Sequence, residues 1–277
     1  MAWTAANPAV IGNATKKTDY DKLWDNAKYL YDLGVNPKGH IFGLGISNAA
    51  DTEHDITIAV GTCRDSTNVY DLILAAAITK QIDAAWAAGT NAGGLFSGAV
   101  GANAFYYIFL IRKDSDGSID AGFDTSVTAA NIPAGYTAYR RIGALRSSAG
   151  SNILNGTYTG GLFTYYGFIV DRAYAGLAST DRILITVTVP PNFIGSFSFV
   201  MATSTGTGYG NIGPTTDADN TPNSTDAAHH TNTTSPSSFK SDIKVDASSQ
   251  IYIRASTSSY YIGIKALGWI DDRGKIN

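Results

Sequence analysis

The chain has 277 residues, a formal net charge of −3 and only 16% charged residues, so a basic surface for nucleic acid or anionic membrane is not expected. No run approaches the roughly 18 apolar residues of a membrane span, and a single cysteine, Cys63, excludes a disulfide framework and a cysteine metal cluster. One Glu (Glu53) and two Gln (Gln81, Gln250) stand against 29 Gly and 16 Tyr, a skew away from helix formers and toward strands and turns.

The N-terminal segment shows no basic stretch followed by an apolar one, so no signal peptide is expected. Residues 19–33 read as the chain's clear helix. Thr18 is a good N-cap with Asp21 three residues on, and Tyr20, Leu23, Trp24, Ala27, Leu30 and Tyr31 recur at helical spacing as one apolar stripe. Gly34 stands where a helix stop belongs. A helix this short is marginal alone, so the stripe must be covered. Two readings are open: it packs on its own domain, or it self-associates or docks on a larger assembly, helped by the arm that carries Trp3.

From residue 40 the signals switch to strands. Runs at 40–47, 55–60 and 70–79 read as β, and 84–88 reads as a short helical turn. Residues 105–113 (FYYIFLIRK) are the strongest strand. Asp114-Ser-Asp-Gly117 predicts a hairpin into 119–124, and 139–145 closes a middle β-rich domain spanning 36–146. The small polar stretch 147–152 reads as a linker and the main boundary. Beyond it, 162–170, 182–189, 196–203, 243–245, 250–255 and 260–270 predict short strands. With turns between them they suggest a C-terminal antiparallel β-sandwich, jelly-roll-like, over 153–277. Residues 204–238 lack periodicity and read as a long loop, functional or disordered. The 1–35 segment is then an N-terminal arm and helix.

The chemical motifs are sparse. His229-His230 lacks the i+2 or i+4 spacing of a metal site on one element. Asp114-x-Asp116-Gly117 has its glycine too early for a calcium loop. Gly208-Tyr-Gly-Asn-Ile-Gly213 matches a dinucleotide fingerprint but is followed by Pro214, not a helix, so its glycines read as loop glycines. Gly-x-Ser-x-Gly is absent, and the single Glu disfavours a glycosidase pair. Asp271-Asp272-Arg273 reads as a solvated strand end. No catalytic residue, metal or cofactor is assigned. The tyrosine doublets (Tyr106-Tyr107, Tyr165-Tyr166, Tyr260-Tyr261) place one ring inward and one outward if each lies in a strand. Tyrosines serve saccharide stacking and protein interfaces, or simply fill β cores.

Several phrases resemble the short tail fibre and tail structural proteins of tailed bacteriophages. Thr18-Asp19-Tyr20-Asp21-Lys22-Leu23-Trp24-Asp25-Asn26 resembles their virion-attachment segments. Cys63-Arg64-Asp65-Ser66-Thr67, Lys80-Gln81-Ile82-Asp83-Ala84-Ala85-Trp86 and Asn131 to Tyr136 through Arg140-Arg141-Ile142-Gly143 resemble their middle region. Gln250-Ile-Tyr-Ile-Arg254, Leu267-Gly-Trp-Ile-Asp271 and Arg273-Gly274 look like their closing strands. The resemblance implies a virion structural protein, not an enzyme, with the N-terminal segment docked on a tail or capsid protein. Such fibres are usually homotrimers, which gives the helix stripe its partners. If the distal β-domain contacts host glycan or protein, the loops of that domain, above all 206–238, are expected to carry the contact, with Tyr209, His229 and His230 as the candidates. A capsid decoration or head fibre protein is the alternative station, and a glycan-degrading tail enzyme the least favoured.

Overall fold

The computed structural model describes residues 17–32, 36–204, 206–225, 229–231 and 236–274. Trp3 and Gly34 lie outside them, as do the side chains of Leu30, Tyr31, His229 and His230. The described residues are mainly β, with one helix, α1 (Lys17–Asp32). It begins one residue before Thr18, which therefore sits inside the first turn.

The first half of the chain forms β1 (Ile41–Gly43), β2 (Ile46–Asn48), β3 (Asp55–Ile58), β4 (Gly61–Arg64), β5 (Asp71–Leu74), β6 (Ile78–Ala85), β7 (Ala92–Leu95), β8 (Phe105–Lys113), β9 (Ile119–Asp124) and β10 (Tyr136–Arg146). The second half forms β11 (Gly156–Thr159), β12 (Leu162–Gly176), β13 (Ile183–Thr186), β14 (Ile194–Thr203), β15 (Gly208–Pro214), β16 (His229–Thr231), β17 (Ser237–Lys244), β18 (Gln250–Ala255) and β19 (Tyr260–Ile270). A 12-stranded sheet runs β10-β8-β9-β7-β6-β3-β2-β11-β12-β19-β14-β17, so both halves share it. They meet where Thr157 of β11 pairs with Ser47 of β2. Smaller sheets, β1-β4-β5 and β13-β18-β15-β16, complete the fold.

The strongest strand has the expected bounds. Tyr106 to Ile111 are all buried, because both faces of β8 are covered, the condition under which a strand reads as a continuous apolar run. Phe109 meets Phe96 and Tyr139 on one face, while Ile108 on the other lies in the pocket lined by Ile46, Ile56 and Tyr158. Tyr106 and Tyr107 are therefore both inside, against the one-in, one-out expectation. Tyr165 and Tyr166 follow it, at 4% and 67% exposed. The turn after β8 closes as expected: Gly117, at φ 75°, donates to the Lys113 carbonyl at 2.9 Å.

Other expectations are corrected. The run 40–47 is broken by Leu44, whose backbone is left-handed (φ 54°) and whose side chain is fully buried. The chain pivots there from the small sheet into the large one. The run 70–79 is two strands separated by the exposed Ala75–Ala77. The helical turn expected at 84–88 is absent: Ala84 and Ala85 finish β6, where Ile78, Lys80 and Ile82 alternate inward, and Trp86 N–H then donates to the Leu95 carbonyl at 2.8 Å.

The stretch 147–152 is an anchored turn. Ser147 is fully buried and donates to the Gly101 carbonyl at 2.6 Å, and an isolated bridge joins it to Ile153. The stretch 204–238 contains β15, β16 and the start of β17. Its glycines are structural: a Cβ on Gly210 would lie 2.8 Å from the Tyr260 hydroxyl, and one on Gly208 would lie 2.8 Å from that ring. Tyr260 of the large sheet thus rests on the backbone of β15, and glycine is what lets the two sheets approach there.

Candidate functional site

Three surfaces carry the candidate residues. The first is α1. Tyr20, Leu23 and Trp24 are 62%, 55% and 72% exposed, and Ala27 is exposed as well. The described side chains of the stripe therefore face solvent. The buried side chain described on this helix is Asn26. Beyond α1 the chain is fastened by Asn36, which donates to Asp71 Oδ1 at 3.1 Å. Among the described residues no helix is long and apolar enough to cross a membrane.

The second surface is the outer sheet of the C-terminal half. Tyr209 and His230 are direct cross-strand partners of β15 and β16, and Gly210 faces His229. The structure therefore brings together the residues singled out for host contact. Tyr209 is half-buried, and its N–H donates to Ser256 Oγ at 3.0 Å. Two arginines strap the following loop onto this sheet. Arg182 lies over the Tyr252 ring (4.1 Å) and donates to the carbonyls of Thr215 and Asp217, both at 2.6 Å. Arg254 pairs with Asp219 and donates to Thr221 Oγ1. Charge-assisted bonds of this kind are the strong ones, so residues 215–221 form a fixed surface and not a structureless loop.

The third surface is the seam between the halves, which sequence reasoning missed. Asp271 and Arg273, expected at a solvated strand end, are 3% and 5% exposed. Arg273 donates from Nε to the Ile142 carbonyl and from Nη2 to that of Leu44, each at 2.6 Å. Arg141 ion-pairs with Asp271 (2.8 Å) and Asp272 (2.6 Å) and covers the Phe193 ring at 4.8 Å. Burial raises the Asp271 carboxyl above the usual range, with Arg141 opposing the shift.

Beside these charges Trp269 stacks on Phe163 at 4.0 Å and donates to the Tyr158 hydroxyl, which donates to the Ala144 carbonyl at 2.9 Å. Complete burial pushes the Tyr158 hydroxyl pKa far up, so it acts as a neutral donor and acceptor. An open groove of about 650 Å³ runs along the seam past Tyr107, Phe193, Ile194, Lys244 and Ile270. The signal in the sequence was the adjacent pair Arg140-Arg141 inside a strand, since two arginines cannot both leave a sheet by the same face.

Cys63 is fully buried, and burial pushes its thiol up to about 12. It is an inert filler, not a nucleophile. Among the described residues no three metal-ligating side chains converge. Comparison with protein-family models, with curated proteins and with solved structures finds no match.

Proposed function

We propose that this chain is a bacteriophage virion structural protein, a short trimeric tail fibre or receptor-binding protein without catalytic activity. The N-terminal arm and α1 attach it to the particle and join the copies. The C-terminal half is a jelly-roll-like sandwich that faces the host through the strapped loop and the Tyr209–His230 pair. The observation that carries this reading is the solvent-facing stripe of Tyr20, Leu23 and Trp24, an apolar surface that a lone chain leaves wet and a three-fold bundle covers. The sequence phrases that resemble those of tail fibre proteins are what points to a phage particle.

Light scattering of the purified chain tests it. The reading expects a mass near three times 29.2 kDa, and a fall to the single-chain mass when Leu23→Lys and Trp24→Glu are combined. A wild-type monomer at micromolar concentration contradicts the proposal.

A further inference from the structure

Lys80 lies on the inward face of β6 and Asp120 near the start of β9, and the two are 0% and 5% exposed. Lys80 Nζ stands 3.1 Å from Asp120 Oδ1, and the Trp86 ring centre is 5.4 Å from the same nitrogen. Among the described residues it is the one ion pair that sets a buried primary amine against a buried carboxylate.

The surroundings orient both partners for more than a charge contact. Two of the three Nζ hydrogens go to the Ala87 and Gly89 carbonyls at 2.6 and 3.0 Å, which leaves the third for Asp120. Passage of that proton to Oδ1 frees a lone pair aimed at the carboxyl, while the two carbonyls keep hold of the amine. Gly89 N–H donates to Asp120 Oδ2 and Ala121 N–H to Oδ1, both at 2.7 Å. Backbone donors so placed stabilise the oxyanion that forms when the carboxyl carbon is attacked. Burial lowers the Lys80 pKa, with Asp120 opposing the shift, and a desolvated lysine is an activated nucleophile. Two groups fixed at contact distance react as one molecule, without the entropic cost of meeting.

We propose that Lys80 and Asp120 close an intramolecular amide, a covalent cross-link between β6 and β9. Nζ attacks Cγ, the N–Cγ bond forms and the Cγ–Oδ1 bond breaks. Two of the three ammonium hydrogens leave with Oδ1 as water, the third stays on the amide nitrogen, and Oδ2 remains as the amide carbonyl on Gly89 N–H. No oxidant, cofactor or second molecule enters the balance. The ion pair is the state of the newly folded chain, and the bond closes once folding has brought the strands together. The link spans β7, which lies between β6 and β9 and pairs with each in parallel, a pairing slightly weaker per residue than the antiparallel one. It gives a covalent tie to a chain whose single cysteine cannot form an internal disulfide. The proposal does not depend on the virion reading.

Intact-mass spectrometry of the purified full chain tests it, before and after incubation at physiological temperature. The incubated chain is expected to weigh one water less than its sequence. Trypsin spares an amidated lysine, so digestion should yield residues 65–112 joined to residues 114–140 as one branched peptide. Lys80→Arg keeps the positive charge but has no primary amine, and its mass should stay that of its own sequence. The full sequence mass in the incubated wild type overturns the bond. A loss of water with normal cleavage after Lys80 overturns it too, because the dehydration then lies elsewhere, as by ring closure at Asp116-Gly117. The same loss in Lys80→Arg has the same meaning.

Discussion

Arg273 Nη2 donates to the carbonyl of Leu44 at 2.6 Å, across 229 residues of sequence. The end of the described chain is thereby fastened to the left-handed pivot that launches the large sheet. The same guanidinium reaches Ile142, so one buried side chain ties three segments of the seam. Removing it strands two buried carbonyls, each worth about 1–3 kcal/mol when left unsatisfied. Arg273→Met should lower unfolding free energy by about 3 kcal/mol, and a loss below about 0.5 kcal/mol in chemical denaturation would show that the latch is ornamental.

Lys80 and Asp120 make a second buried tie. Lys80 Nζ is 3.1 Å from Asp120 Oδ1 and donates to the carbonyls of Ala87 and Gly89, so its three donors are all used. Burial lowers the Lys80 pKa while Asp120 opposes the shift. Breaking such a pair on one side costs about 3–5 kcal/mol, whereas replacing both partners by apolar groups is often neutral. Lys80→Met or Asp120→Leu alone should be severely destabilising. The double variant should recover most of the loss, and additive losses would contradict the account.

Asp171 gives the fold a pH dependence of unusual sign. Its Oδ1 accepts the N–H and hydroxyl of Thr188 at 2.9 and 2.6 Å, while Oδ2 is buried without a partner. Burial pushes the carboxyl up to about 6. The folded state therefore holds this proton where the unfolded chain has released it. The contribution is fully present below the unfolded value near pH 3.8 and is lost as pH rises through about 6. Its ceiling is about 3 kcal/mol from the size of the shift. Relative to wild type, Asp171→Asn should gain stability on going from pH 4.5 to pH 7.5, and parallel pH curves for the two proteins would sink the assignment.

The Tyr260 contact makes a local test of sheet packing. A Cβ at Gly210 meets the Tyr260 hydroxyl at 2.8 Å and its Cζ at 2.9 Å, so Gly210→Ala should cost about 1–3 kcal/mol by overpacking. Tyr260→Phe in the same chain removes the nearest atom and should restore part of that loss. Equal stability of wild type and Gly210→Ala would mean the sheets have room to spare.

These cases also separate what the sequence can announce from what it cannot. The bounds of β8, β18 and β19 follow from dense aromatic and β-branched runs between turn residues, a signal contained in the segment itself. β15 carries no such signal, because its glycines answer to an aromatic ring about fifty residues further on. Burial of Asp271 and Arg273 is likewise decided by the carbonyls of Leu44 and Ile142. In the candidate surfaces, the helix stripe was readable from its own spacing, and its exposure was not. Tyr209 and His230 were picked out from composition, and only strand register made them neighbours.

The most direct test of the central proposal is immunogold electron microscopy of the source phage particles, with antibody raised against residues 151–277. The account predicts gold at the tail, at the end away from its attachment. Gold over the capsid would move the protein to a head-fibre or decoration role and contradict the host-contact reading of Tyr209 and the strapped loop. Particles without label, beside labelled purified protein, would contradict a virion protein altogether.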